Sequence, residues 1–89
     1  MSELPSLSNG FLLQERKISI GTKQTTRMVE LGKAVEVFVA HDADPRITLK
    51  IVNLCKKMEV KITYVDSMKS LGKACGIEVG AAMAAVINE

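Results

Sequence analysis

The segment IGTKQTTR, residues 20–27, combines a glycine turn with polar and basic side chains that could bind an anion. It is typical of a strand end followed by a tight turn and the first turn of a helix. Helix starts usually favour carboxylates, because free N–H groups and the helix dipole place about half a positive charge there. This helix start instead carries cations and an amide. The residues that form the donor array are Gly21, Thr22, Lys23, Gln24 and Arg27.

Such an array suits phosphate oxygens and the acceptor edge of guanine. Lysine or arginine paired with guanine O6 and N7 contributes ~1–3 kcal/mol of discrimination per good bidentate contact, and a glutamine amide can donate or accept. A solvated helix face that is merely basic is the competing interpretation, with about equal weight on the residues alone. The formal net charge of +2 permits an anionic partner without requiring one, so the local clustering carries the prediction.

A second polar cluster, HDADP, follows a predicted strand. His41, Asp42 and Asp44 could suggest a metal or acid–base site. The favoured interpretation is structural: Asp44 caps a helix that begins with Pro45, Asp42 forms the turn, and His41 is an exposed loop residue. With one histidine and two cysteines, no triad or metal ligand set has a familiar spacing, so we expect no catalysis, metal or cofactor.

Composition limits the fold to a small, aliphatic domain. The chain has 89 residues, of which 47% are hydrophobic and only 3% aromatic, so single-strand stacking platforms are mostly missing. Cys55 and Cys75 are predicted to be buried thiols in a reducing compartment rather than zinc ligands. The longest apolar run, residues 81–87, is too short to span a bilayer, and the start lacks a basic leader before an apolar run. We therefore expect a cytoplasmic protein.

Strand and helix patterns alternate along the chain. Residues 1–16 are expected to form a loosely ordered segment that can include a short helix in FLLQERK, and residues 17–89 a single α/β domain with a buried sheet between helical layers. The run at 81–87 is ambiguous between helix and strand, and we predict a strand. The predicted strands are 18–20, 35–40, 60–65 and this last run. The first predicted helix runs from 22 to about 33, and the third runs from Ser67 to Gly76. The second begins at the Asp44 cap and continues through an apolar stripe formed by Ile47, Ile51, Leu54, Cys55 and Met58.

Three motifs in order, GTKQTTR at 21–27, AHDADP at 40–45 and LGKACGIEVGAA at 71–82, give a specific resemblance. The chain resembles the kink-turn-binding ribosomal protein family, the L-seven-Ae/L-thirty-e group, and in particular its small bacterial YbxF-like members. The resemblance covers about residues 17–88. It implies a three-layer α/β/α sandwich with a four-stranded mixed sheet. It also implies a monomer without catalysis that binds RNA kink-turns, sharp bends at a three-nucleotide bulge beside tandem sheared G·A pairs.

The resemblance assigns site residues at two surfaces. The start of the helix at 22 would dock at the G·A pairs, and the loop at 77–79 would pack on the bulge nucleotides. Two assignments are weaker. Asp44 falls where the family often has an acidic residue at the flipped nucleotide, and Lys69 lies next to a position that is commonly basic. Archaeal and eukaryotic members have Asn then Glu where this chain has Lys23 then Gln24, a variant shared with YbxF-like proteins. The implied RNA-binding residues are Gly21, Thr22, Lys23, Gln24, Arg27, Asp44, Lys69, Ile77, Glu78 and Val79.

The implied partner is a ribosomal or structured regulatory RNA, with no membrane and no small-molecule substrate. The alternative is a protein-interaction adaptor on the same fold, ribosome-associated or regulatory, that uses the loop at 77–79 as an apolar contact and has no kink-turn specificity. Replacing the sheared G·A pairs with Watson–Crick pairs separates the two, because only an RNA reader would respond.

Overall fold

The structure, a computed structural model, describes residues 17–88, so the predicted N-terminal segment 1–16 and its short helix lie outside the described residues. Four strands form one mixed sheet in the order β1-β4-β2-β3. The elements are β1 (Ile18–Ile20), α1 (Thr22–Glu30), β2 (Ala34–Ala40), α2 (Pro45–Met58), β3 (Lys61–Val65), α3 (Met68–Cys75) and β4 (Met83–Ile87).

Strand direction places the starts of the three described helices at one edge of the sheet. β4 pairs antiparallel with both β1 and β2, and β2 pairs parallel with β3, so β1, β2 and β3 run in one direction. Their carboxyl ends share an edge, which we call the carboxyl edge. Each of these strands leads into a helix, so α1, α2 and α3 all begin there, and β4 begins there as well. Residues far apart in sequence therefore converge at this edge.

The sheet is covered on both faces, which confirms the predicted three-layer α/β/α sandwich. Helices α1 and α2 pack on one face through Val29, Ile51 and Cys55, against β2 and β4. Helix α3 packs on the other face through Leu71, Ala74 and Cys75. A mainly aliphatic core of small residues lets three short helices approach the sheet closely.

Helix α2 follows its sequence pattern. Asp44 caps it by accepting a hydrogen bond from the Arg46 N–H, and Pro45 occupies the first turn, as predicted. Ile51 and Cys55 from the predicted apolar stripe are buried. Met58, the last residue of that stripe, is 39% exposed because the helix ends there, at Glu59 in the left-handed conformation with φ 60°.

The structure tests the predicted type of the last element and the predicted end of α1. The terminal alanine-rich run is a strand, as predicted, and its buried positions show why small side chains suit a layer covered on both faces. Helix α1 was predicted to run to about Lys33 but ends at Glu30. Gly32 adopts φ 73°, and the Lys33 N–H donates to the Met28 carbonyl, so the chain reverses there before β2.

Both cysteines are buried free thiols. Burial raises the pKa of the Cys55 thiol, and it raises the pKa of the Cys75 thiol to about 11, so neither favours a thiolate. Within residues 17–88, no group of three or more His, Cys, Asp or Glu side chains is arranged to hold a metal ion. None of the helices described is both long enough and apolar enough to cross a bilayer.

Candidate nucleic-acid interface

The start of α1 is an exposed cluster of hydrogen-bond donors. Its first turn contains no acidic residue, and its N-cap, Gly21, has no side chain to cap the helix. Helix geometry leaves the N–H groups of the first turn without intrahelical acceptors. The side chains of Lys23, Gln24 and Arg27 are exposed beside these N–H groups, whereas Thr25 is buried against the sheet. The start of α1 therefore offers a concentrated positive surface that is open to solvent.

Gly21 has a different role from the rest of this array. Its N–H was predicted to be a free donor, but it donates to the Met83 carbonyl of β4 at 3.0 Å. The donors left for a ligand are therefore the N–H groups of Thr22 to Gln24 and the three long side chains. Gly21 instead fixes the helix start to the sheet. The spacing of the sequence motif could not reveal this bond, because it joins two segments at opposite ends of the domain's sequence.

Replacing Gly21 with alanine is expected to destabilise the fold. Its φ of 99° and ψ of 164° lie in a region that residues with side chains rarely adopt, although no atom of residues 17–88 lies within 4 Å of the position that a β-carbon would take. The cost is thus backbone strain of about 1–3 kcal/mol. At roughly 4–8 °C per kcal/mol, thermal unfolding should show the Tm fall by about 10 °C. An unchanged Tm would mean that this backbone conformation is not required.

Three successive residues, Ala81 to Met83, lead into β4 and hydrogen-bond to the other segments of the carboxyl edge. The Ala81 N–H donates to the Met68 carbonyl at the start of α3, and the Ala82 carbonyl accepts from the Ala40 N–H at the end of β2. The Met83 carbonyl accepts from Gly21, as described above. The starts of α1 and α3 and the end of β2 are thus fixed to one backbone segment, which limits their relative motion.

The start of α3 is held by two side-chain caps. Ser67 accepts from the Ser70 N–H at 3.0 Å, as predicted for a helix cap. Asp42 was predicted only to form a turn, but its carboxylate also accepts from the Met68 N–H at 2.7 Å. This contact ties the loop after β2 to α3. Lys69 is exposed in the first turn of α3, beside this junction.

The loop between α3 and β4 presents an apolar side chain at the same edge. Ile77 is partly buried and packs on the α3 side of the core, whereas Glu78 is exposed and Val79 is 71% exposed. The loop backbone is closely packed, because a β-carbon on Gly72 would lie 2.0 Å from the Val79 carbonyl oxygen. Gly80 lies close to Met68, where a β-carbon would meet its side chain at 3.1 Å. The exposed Val79 therefore stands on a fixed loop.

Asp44 is engaged in a local ion pair. Arg46 donates to both carboxylate oxygens, with its Nη2 at 2.8 Å from Oδ2 and its Nε at 3.2 Å from each oxygen. These side-chain hydrogen bonds, and then the Arg46 backbone N–H, hold the pKa of Asp44 below its ordinary value. The carboxylate is thus ionised and partly occupied as an acceptor. It is foremost a helix cap.

Two shallow depressions connect these residues. One, of about 580 Å³, lies on the outer side of α1 and is lined by Lys23, Gln24, Thr26, Arg27 and Glu30. The other, of about 460 Å³, is the cleft between the starts of α1 and α2. Its lining residues are Thr22, Thr26, Asp44, Arg46, Ile47 and Lys50. The structure therefore brings Asp44 beside the start of α1, and it places Lys69 and the loop at 77–79 along the same edge.

Comparison with known proteins adds an independent observation. Residues 10–89 match the Ribosomal protein L7Ae/L30e/S12e/Gadd45 family. The chain belongs to this family. It is 55% identical over 77 residues to an RNA-binding protein of Geobacillus sp. (strain WCH70), covering 86% of this chain and 94% of the relative. It is 53% identical, with the same coverage, to the RNA-binding protein YbxF of Geobacillus stearothermophilus.

The L7Ae-type fold is also evident from a solved structure. The chain is similar to the Giardia lamblia 15.5kD RNA binding protein, with a TM-score of 0.78 and 28% identity over 94% of this chain and 70% of that one. The sequence motifs predicted the donor array at α1, but they did not single out the cleft-lining residues of the neighbouring helix. Arg46 and Lys50 line the cleft, and their spacing of four along a helix was the available signal.

Proposed function

We propose that this chain is a non-catalytic RNA-binding protein that recognises and stabilises kink-turn RNA. Its membership of the L7Ae/L30e/S12e/Gadd45 family and its similarity to proteins described as RNA-binding support RNA as the partner. The observation that carries the finer proposal is the carboxyl edge. There an uncapped, cationic helix start and an exposed apolar loop are held in fixed relation by the start of β4.

The two surfaces suit two parts of a kinked duplex. Ordinary A-form RNA hides its major-groove base edges, whereas a kink exposes them to protein side chains. Lys23, Gln24 and Arg27 would face the guanine edges and adjacent phosphates of the sheared G·A pairs. Val79 and Ile77 would pack on bulge nucleotides. Because both contacts need the bent form, binding shifts the RNA population toward the kink by differential affinity.

A direct test compares two RNAs of the same length. One contains a standard kink-turn, and in the other Watson–Crick pairs replace the tandem sheared G·A pairs. We expect binding at least about a hundredfold tighter to the kink-turn, because two or more base contacts are lost with the replacement. Fluorescence anisotropy gives the two Kd values, and fluorescence transfer between labelled arms reports the bend. Equal Kd values would reject kink-turn recognition.

One observation favours a second candidate function. Val79 is the most exposed of the large apolar residues described, and it stands on a rigid loop, as a protein-binding anchor would. A protein-interaction adaptor on this fold would use that loop without kink-turn specificity. Such an adaptor would bind the two RNAs above equally. Val79→Ser would then leave RNA affinity unchanged and reduce capture of the protein partner.

A further inference from the structure

Helix α2 carries a cationic face that the proposed G·A contact does not use. Residues 45–58 contain four basic side chains, Arg46, Lys50, Lys56 and Lys57, and no carboxylate. At 3.6 residues per turn, Arg46, Lys50 and Lys57 lie within about 40° of one another around the helix axis. Ile51 and Cys55, the buried positions, lie roughly 140–180° from Arg46. We call Arg46, Lys50 and Lys57 the α2 stripe.

The α2 stripe borders the cleft beside the proposed RNA site. Arg46 and Lys50 line one wall, and the first and second turns of α1 provide the other wall through Thr22 and Thr26. Lys23 and Arg27 lie on the outer side of α1, lining the adjoining depression. Two rows of cations therefore flank a trough with hydroxyl groups on its wall. Hydroxyls and cations together are the donors that contact phosphate oxygens in nucleic-acid complexes.

The charges that line this trough indicate which kind of ligand it can bind. Among the described residues that line it, the only carboxylate is Asp44, and Arg46 already donates to both of its oxygens. The Arg46 side chain is 89% exposed and keeps guanidinium donors beyond that pair. The unpaired charge in the trough is thus positive. A ligand that complements this charge would carry a row of negative charges continuing from the part docked at the start of α1. The phosphate backbone of a nucleic acid carries such a row.

We propose that the α2 stripe and the α1–α2 cleft bind the phosphate backbone of an RNA arm extending beyond the kink docked at α1. This inference rests on the proposed function. The spacing of Arg46 and Lys50, four residues or about 6 Å along the axis, sets the charges in a row that a strand can follow. These contacts carry no sequence information; they orient the RNA and add salt-dependent affinity.

The test varies arm length and charge independently. Kink-turn RNAs with both arms short, or with either arm extended by about one helical turn, are titrated with the wild type and with Lys50→Gln/Lys57→Gln. The control is Lys56→Gln/Lys73→Gln, which removes the same charge from exposed sites off the stripe. We expect the stripe variant to bind one of the long-armed RNAs about tenfold more weakly and to lower its salt slope by about 2.

The outcomes separate this inference from the function on which it rests. The short-armed RNA should bind the stripe variant and the wild type equally, and the control variant should resemble the wild type on every RNA. An equal loss on short-armed RNA, an equal loss in the control variant, or no gain from a longer arm would overturn the α2 contact. Loss of discrimination between sheared G·A and Watson–Crick pairs in short-armed RNA would instead overturn the proposed function.

Discussion

Replacing Lys23 and Arg27 together with alanine is expected to weaken kink-turn binding by at least about a hundredfold. Both side chains are exposed at the uncapped start of α1, and they line the depression on the outer side of this helix. If each contacts a guanine edge or a phosphate, each loss removes a charge-assisted hydrogen bond. Fluorescence anisotropy with a standard kink-turn at fixed salt measures the effect.

A control variant with the same loss of charge separates the effect of the position of these cations from the effect of net charge on RNA affinity. Lys56→Ala/Lys73→Ala removes two exposed cations from the last turns of α2 and α3, away from the carboxyl edge. It should change affinity only slightly. Within residues 17–88, no ion pair involves Lys23 or Arg27, so the first variant should keep its Tm. Similar losses in both variants would indicate unspecific attraction, and an unchanged affinity in the first would reject the site.

Much of the fold was predictable because apolar periodicity and caps are local signals. Asp44 before Pro45 marked the start of α2, and Ser67 and Gly76 marked the ends of α3. The terminal alanine-rich run could be resolved as a strand because it ends in Val86 and Ile87. The end of α1 was misplaced because Gly32, which reverses the chain, was counted as part of the helix.

The candidate site was predictable as residues but not as a bonded assembly. The cations near Gly21 stand out in sequence because they occupy a helix start that usually carries carboxylates. The bond from Gly21 to Met83 and the bond from Asp42 to Met68 join distant segments, and no local pattern encodes them. The α2 stripe was missed for a related reason, since its relevance depends on the neighbouring helix.

A close backbone contact beneath the loop at 77–79 gives the second large effect. Gly72 is buried in α3, and a β-carbon there would lie 2.0 Å from the Val79 carbonyl oxygen and 3.1 Å from the Gly80 Cα. The Ile77 N–H also donates to the Gly72 carbonyl at 3.0 Å, so the loop is held on both sides of this contact. Any side chain at position 72 must therefore separate the loop from the helix.

Gly72→Ala is expected to destabilise the protein by about 3 kcal/mol, which corresponds to a Tm lower by roughly 12–24 °C. Helix propensity predicts the opposite sign, because alanine is favoured over glycine in a helix by about 1 kcal/mol. The steric term should prevail because the opposing atoms are backbone rather than a flexible side-chain end. Thermal unfolding followed by circular dichroism measures the change.

Gly32→Ala provides the matched control for this steric argument. Gly32 has φ 73°, and no atom of the described residues lies within 4 Å of its β-carbon position, so only left-handed strain of about 1–2 kcal/mol is expected. Gly32→Ala should therefore lower the Tm less than Gly72→Ala and leave RNA affinity unchanged. If the loop at 77–79 moves away from α3 while the helix stays in place, Gly72→Ala should lower the Tm by less than expected. The displaced Val79 should then weaken kink-turn binding. A Gly72→Ala variant with an unchanged or higher Tm and full RNA affinity would contradict the close packing of α3 against the loop.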